Sequence, residues 1–463
     1  MTTPVSTEQH EEVAQALRRL VGFTSRLRWE DLPDDVRLRA AAVFCDDLSA
    51  MIAARNEPEL QALRAQLLRA GGVAEATLFD GAMPANRTDR YSAALANGTA
   101  ADWAELDGGY RAVVCHAALY CIPALLAEAE ASENTLLELL LALVAGYETI
   151  ARVAHAFSFP GLVLHPHGGL ATVGAAAAVA RLRGLDPEKT FAAITSAATL
   201  CLPGPFNHAV SGALIRNAWP GLCAQNGIRA VDWAPIGLTG GPWSLTEVFA
   251  DIFGGAVEVG ALDESLGKDW KIAGGHHKIH ACCQYAHSTV EAVLAAIPEF
   301  QFDPAEIVRI DVATHWRGRR LDRPQPRTSL AAKFSIQHIA AATLFYGHAG
   351  ASAFTGASLT DPGMVRLRDL VAIRAYPEEL PWPNDRPSQV AITLTDGRQA
   401  VGECLSAPGG ADLPLGPDII RGKILENILP AYPSAMDTID RILRVESTLM
   451  TKEWREILDD LIG

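Results

Sequence analysis

The sequence predicts a mainly α protein: a large all-helical domain that carries a smaller α+β lid domain. Three observations predict it. Residues 1–268 read as one helical pattern after another. Between 269 and 405 the pattern changes, and short stretches alternate apolar and polar residues with the period of a strand. From 406 to 463 amphipathic helical periodicity returns, so this tail is expected to pack back on the first segment and make the helical domain discontinuous. At 463 residues, 49% hydrophobic and 20% charged, the chain is too long for one ordinary core and apolar enough to build two.

Each element has a local reason. Pro33 lies near the start of LPDDVRLRAAAVFCDDLSAMIAA, where the first turn of a helix tolerates its missing N–H. Ser132-Glu-Asn precedes the long periodic run TLLELLLALVAGYETIARVAHAF. Asp186-Pro187 supplies a cap and a first-turn proline for PEKTFAAITSAATL. The run at 169–180, GLATVGAAAAVA, is nearly free of large side chains, so neighbouring helices can approach it closely and it is expected to be central. A phosphate loop is a poor reading there, because no strand precedes it and no G-x-G-x-x-G is present. IVRIDVAT at 307–314 alternates as a strand does, and VAITLTDGRQAVGEC at 390–404 reads as two strands around the turn Asp396-Gly397. Between them SLAAKFSIQHIAAATLFYG is helical.

The formal net charge of −15 argues against nucleic acid and against an anionic membrane surface as partners. The first residues, MTTPVSTEQHEEVAQALRRL, carry acids where an export signal would carry an apolar run. No apolar run reaches the roughly 18–20 residues that span a bilayer. The eight cysteines are scattered through apolar contexts, which fits reduced thiols and a cytoplasmic location.

Two segments concentrate proton-transfer groups. Residues 274–287, GGHHKIHACCQYAH, hold four histidines, Lys278, two adjacent cysteines and a tyrosine. Here Lys278 could pair with a substrate carboxylate while His280 or His287 moves protons. Residues 97–123 hold Glu105, Asp107 and His116, with Tyr110 between them. Gly108-Gly109 must break the helix, so the two carboxylates sit at a helix end or in a loop, where a nearby imidazole makes a usable acid/base pair. The competing structural reading is a helix terminus with solvated acids and a core histidine. A third segment, His165-Pro-His-Gly-Gly, precedes the small-residue run, and a helix N-terminus would favour the neutral imidazole. Metal is not expected, because zinc sites favour C-x2-C or H-x3-H spacing and adjacent cysteines seldom ligate one ion. The basic run Arg317, Arg319, Arg320, Arg323 and Arg327 reads more simply as a solvated loop than as a carboxylate collector. Neither G-x-S-x-G nor a suitable S-x-x-K supports a hydrolase.

At these residues the chain resembles the MmgE/PrpD family, which includes 2-methylcitrate dehydratase, cis-aconitate decarboxylase and iminodisuccinate epimerase. The likeness runs over roughly 10–450. It rests on NGTAA at 97–101, GYE at 146–148, His165-Pro166 with the GAAAAVARLRGLD that follows, the stretch from Lys278 to His287 (resembling K-x-Y-P-C-C-x-x-x-H), and KFSIQ at 333–337. The resemblance implies a helical domain with an α+β lid, a site between them, no metal or organic cofactor, and a homodimer. It places Glu105 and Asp107 on the family's acid motif, with Gly108 at the third acidic position. It places His116 on the loop histidine, His165 on the histidine before the Gly/Ala helix, and Lys278 on the lid lysine. Two departures stand out. Ser211 replaces a family lysine, for which Arg216 or Lys278 is expected to compensate unless the substrate carries fewer carboxylates. His338 falls where the decarboxylase has a tyrosine.

The function expected is therefore a cofactor-independent lyase, a dehydratase or decarboxylase, acting on a small polycarboxylate or hydroxy-carboxylate by proton transfer α to a carboxylate. His116, Asp107, Glu105, His165, Lys278 and His338 are the candidate catalytic residues. His280, His287, Ser211, Arg216 and Tyr110 are the candidate substrate contacts. One alternative is an epimerase or isomerase working by 1,1-proton transfer. Another is a non-catalytic ligand-binding family member, for which Ser211 and Gly108 speak and the three retained reactive groups His116, His165 and Lys278 speak against.

Overall fold

The computed structural model describes residues 4–297 and 303–463; residues 1–3 and 298–302, which fall inside the expected helical and lid segments, lie outside the described residues. Helices α1 (Thr7–Thr24), α2 (Asp34–Ala53), α3 (Pro58–Ala70), α4 (Arg90–Trp103), α5 (Ala117–Ala131) and α6 (Leu136–Ala156) form the first half of the helical body. The next five are α7 (Pro166–Gly169), α8 (Ala171–Leu182), α9 (Pro187–Thr199), α10 (Asn207–Ser211) and α11 (Ile215–Trp233). Their starts follow capping chemistry. Asp89 accepts from the Tyr91 and Ser92 amides at α4, and Asp186 accepts from Lys189 at α9. Thr135 and Glu138 exchange bonds in a capping box at α6, downstream of Ser132. Pro33 is itself the N-cap residue of α2.

The small-residue run is central. Helix α8 packs against α5, α6, α9 and α11, and Ala171 through Ala180 are all buried. The closest approach bearing on the site is between α4 and α11. A Cβ on Gly221 would lie 2.1 Å from the Leu95 carbonyl oxygen, and one on Gly98 would lie 2.6 Å from the Gly221 Cα. Only glycine permits this separation. It brings the acidic end of α4 against the start of α11.

The lid is built on a four-stranded sheet in the order Gln399–Cys404, Ser388–Leu394, Ile307–Thr314, Val371–Ala375. The first two pairings are antiparallel and the last is parallel. The hairpin turns at Asp396-Gly397 as the sequence suggests, with Gly397 at φ +85. The strand Val371–Ala375 is not foreseen by the sequence pattern; it is a short, half-exposed edge whose alternation is weak. Helix His287–Ala296 covers the sheet beside the hairpin. The run 329–347 is helical but breaks at Phe334, giving Ser329–Lys333 and Ile336–Tyr346.

The tail returns to the helical body. Helices Pro417–Ile428 and Met436–Leu443 lie on α2, and Trp454–Ile462 lies on α5. The Trp454 ring stands edge-on to Phe44 at 5.3 Å. Among the described residues no helix is long and apolar enough to cross a membrane.

Candidate active site

The α4 helix ends at Trp103, and the next residues set the site. Ala104 caps the helix, Glu105 takes a left-handed backbone (φ 55), and Asp107 lies in the loop that Gly108 continues. The left-handed turn is costly for a residue with a side chain and persists only where its surroundings hold it. Here they do. The Lys333 Nζ donates to the Trp103 carbonyl (2.6 Å), Lys423 Nζ donates to the Leu106 carbonyl (2.7 Å), and the Gly108 amide donates to Asp47 (2.7 Å). Two ammonium groups thus satisfy carbonyls at and beyond the negative end of α4. Gly109-Tyr110 then pairs antiparallel with Gly275-His276, which brings the Lys278 segment beside the acidic loop.

The result is a buried charge cluster at the end of α4. The Arg216 Nη1 donates to both oxygens of Asp102 (2.7 and 2.6 Å) and to Glu105 Oε1 (2.5 Å). The Lys278 Nζ donates to Glu105 Oε2 (3.3 Å) and Asp107 Oδ1 (3.4 Å). His116, the N-cap residue of α5, turns its Nδ1 to Asp107 Oδ2 at 2.5 Å. His165 caps the short turn α7, and the His167 Nε2 lies 3.0 Å from Asp102.

Burial and charge together fix the protonation. Burial pushes Asp107 up, but Lys278 and His116 outweigh it and hold the carboxyl below its usual range. Burial likewise raises Glu105, and Arg216 with Lys278 brings it down. Asp102 is the exception: burial raises it well above the ordinary value, Arg216 opposes, and Glu105 adds to the rise. Burial would lower Lys278, yet Asp107 and Glu105 raise it, so the ammonium stays charged. His165 and His167 are held neutral by burial first and by Arg216 second. The neutral His165 is as the sequence suggests, but the larger cause is burial. In the tautomer that carries its proton on Nδ1, His116 donates to the ionised Asp107 and its Nε2 keeps a lone pair.

These groups open on one cavity of about 60 Å³, the volume swept by the centre of a water-sized sphere. Of the expected residues, Glu105, Tyr110, His116, His165, Arg216 and Lys278 line it, and Asp107 supports it through His116. The Tyr110 hydroxyl is turned to His155 Nε2 at 3.1 Å.

Four expected residues are not brought to the cavity. His338 lies inside the lid, against Ser358 (3.3 Å), Arg368 (3.5 Å) and the Phe354 ring. His280 pairs with Glu291 at 2.7 Å. His287 donates from Nε2 to the Cys282 carbonyl (3.2 Å) behind the cavity wall. Ser211 is exposed at the end of α10, bonded to the His208 carbonyl. The helices that carry His338, His287 and Ser211 contribute no residue to the cavity lining, and His280 is drawn off it by Glu291. The Arg317 run does not line this cavity either; Arg317 lies 3.6 Å from Asp385.

Sequence reasoning missed the lid wall. Arg386, Gln284, Tyr285, His276 and Cys283 line the cavity from that side. Arg386 comes from a loop with no motif, whereas Tyr285 and His276 belong to the 274–287 segment already rich in such groups. Asp102, three residues before Glu105, was legible as a third acid.

Asp107, His116 and His167 place ligand-type atoms within 4.8 Å of one another. The donor chemistry fits a metal ion poorly. The His116 Nδ1 is engaged by Asp107, the His167 ring lies between Tyr120 (3.0 Å) and Asp102 (3.0 Å), and a buried ammonium, Lys278, stands against the same carboxylate. All eight cysteines are free thiols, and burial raises the Cys283 thiol to about 12, so it carries no thiolate near neutral pH.

Residues 18–256 match the MmgE/PrpD N-terminal domain, and residues 280–448 match the MmgE/PrpD C-terminal domain. Over the whole chain the sequence is 25% identical to a cis-aconitate decarboxylase-like protein, oryM, of Aspergillus oryzae, with 99% of that protein covered. It is 25% identical to the cis-aconitate decarboxylase of Homo sapiens over 80% of this chain and 79% of that protein. The mouse cis-aconitate decarboxylase is likewise 25% identical, over 80% of this chain and 78% of its own length.

Proposed function

The chain belongs to the MmgE/PrpD family, and on that premise we propose that it is a cofactor-independent lyase, a dehydratase or decarboxylase, acting on a small polycarboxylate or hydroxy-carboxylate. The observation that carries the reading is the His116–Asp107 pair at 2.5 Å, opening on the cavity beside Lys278. Distant similarity to cis-aconitate decarboxylases supports a lyase, and the fine reaction is our inference.

Proton removal α to a carboxylate puts the C–H electron pair into an enolate-like system. The site must supply a base and donors for the developing charge. In this reading His116 Nε2 takes the proton and Asp107 holds the resulting imidazolium. Lys278 offers its ammonium to the carboxylate whose charge grows. His165 is a neutral imidazole able to donate to an oxygen or return a proton. With a hydroxyl on the next carbon, the C–O bond breaks and water leaves with a returned proton. With a carboxylate on a saturated carbon beside a C=C bond, no proton is removed first: the C–CO₂ electron pair becomes a new C=C bond as carbon dioxide leaves, and the old C=C pair takes a proton at its far carbon from the protonated His116.

A second reading is favoured by one observation: two imidazoles, His116 and His165, line the same cavity. Two such groups on opposite faces of a carbon would make an epimerase. The experiment that separates the readings is proton NMR in D₂O with chelator present, over citrate analogues, aconitates, tartrates and amino-diacids. Deuterium entering an α-carbon with loss of water or carbon dioxide is expected for the lyase, and exchange without loss for the epimerase. His116→Asn should lower turnover by about 10²-fold or more. Near-wild-type turnover in that folded variant would sink the assignment, and binding with no exchange anywhere would favour a non-catalytic member.

A further inference from the structure

The two cations that meet the acidic loop already have their counter-charges. Arg216 is held by Asp102 and Glu105, and Lys278 by Glu105 and Asp107. Each therefore meets a substrate carboxylate with its charge already largely balanced, although the Lys278 ammonium keeps a third donor. The lid wall differs. Arg386 lines the cavity fully buried, its nearest carboxylate is Asp385 at 3.6 Å, and its Nε has no hydrogen-bond partner among the described residues. Its other nitrogens meet only neutral acceptors, the Gln284 side chain and the Arg111 carbonyl (3.1 Å). Arg111 itself is committed to Asp385 and Asp412, both at 2.9 Å. Beside Arg386, the Tyr285 hydroxyl and both ring nitrogens of His276 are buried and unpartnered among the described residues. The Arg386 guanidinium lies over the Tyr285 ring, 5.2 Å from its centroid.

Buried polar groups are ordinarily hydrogen-bonded, and a set of orphans around one cation implies a missing anionic acceptor. We propose that Arg386, with Tyr285 and His276, is the anchor for a second carboxylate of the substrate, so that the substrate carries at least two carboxylates, one at the Lys278–His116 end and one at the lid. Only the identity of the reacting end rests on the function proposed above. A guanidinium suits this role because its planar fork matches a carboxylate with two parallel bonds.

The test is calorimetric titration of the full-length protein with glutarate and with butyrate, in wild type, Arg386→Gln and Arg386→Lys. Wild type is expected to bind glutarate about 10-fold or more tighter than butyrate, a typical scale for a charge-assisted bidentate pair. Arg386→Gln should abolish the preference, leaving butyrate affinity within about twofold. Arg386→Lys, which keeps the charge and loses the fork, should retain part of it and guards against a folding defect in the glutamine variant. Equal affinities in wild type, or a preference that survives in folded Arg386→Gln, overturn the proposal. Deuterium exchange in wild type reports separately: if exchange fails while the Arg386-dependent preference stands, the lyase reading falls and the anchor remains.

Discussion

The two walls of the cavity are built on opposite principles. On the side of the acidic loop, Asp102, Glu105 and Asp107 face Arg216 and, from the lid segment, Lys278, and both cations are paired at 2.5–3.4 Å. On the lid side, Arg386, Tyr285 and His276 keep buried polar atoms without partners. A cluster whose charges are paired is preorganised, with its groups held in place before a ligand arrives, which suits acid/base work. An incompletely paired wall stores desolvation cost that an arriving anion relieves, which suits recognition. The difference teaches that charge count alone does not identify a binding residue; the residue that still lacks a partner does.

The largest effect should come from breaking the paired wall. Arg216→Ala leaves Asp102 and Glu105 buried without their shared cation, and loss of one partner of a buried pair costs about 3–5 kcal/mol. Arg386→Ala removes a cation whose partners are neutral, so it should cost only about 1–2 kcal/mol of stability. Chemical denaturation of both variants checks the contrast, and equal losses would erase the distinction between the walls.

The paired wall depends on how closely α4 and α11 approach. Gly221→Ala places a methyl group against the Leu95 carbonyl and must part the helices, at about 1–3 kcal/mol. Because α4 carries Asp102 and α11 carries Arg216, activity should fall along with the melting temperature. A stable but inactive protein would show that the spacing serves geometry more than packing.

The sequence made the helical body legible because caps and periodicity are local signals. Asp186, the α6 run and the Asp396-Gly397 hairpin lie where those signals put them. It also made legible the residues of the paired wall, because Glu105, Asp107 and His116 share one short segment and Arg216, His165 and Lys278 sit in motifs. The lid wall was not legible. Arg386 lies 102 residues from Gln284 and 275 from Arg111, and only the packing of the lid on the helical body brings the three together. His338 shows the converse: a reactive residue type at a family position, turned by its helix toward Ser358 and away from the cavity.

The buried histidines sharpen the comparison through pH. His165 on the helical wall is held well below its ordinary value by burial and by Arg216. A base depressed on folding binds more protons when unfolded, so its stability contribution is full above about 6.5 and is lost as pH falls below that value. His165→Asn should therefore flatten the acid side of the stability profile, by up to about 1.4 kcal/mol per pH unit below 6.5. Urea midpoints of wild type and variant at pH 7 and pH 5 measure it. Parallel profiles would mean that the ring is charged in the folded protein.

The smallest effect is expected at Ser211, where the resemblance places a lysine and the structure places an exposed side chain bonded to the His208 carbonyl. It touches neither wall. Surface substitutions without a special backbone or a buried partner usually stay within about 0.5 kcal/mol, so Ser211→Ala should keep both its stability and its kcat/KM near wild type. Ser211→Lys is the sharper variant. The next residue, Gly212, adopts φ +76 and takes a bond from Thr328 of the lid at 3.2 Å, so a long side chain here lies near the seam between the walls. If the lid wall already supplies the anchoring cation, the added lysine should raise glutarate affinity by less than about twofold, since a mobile exposed ammonium contributes little beside a buried guanidinium. A large gain would mean that the carboxylate pole lies at α10, and that Arg386 serves to hold Gln284 and Arg111 in place.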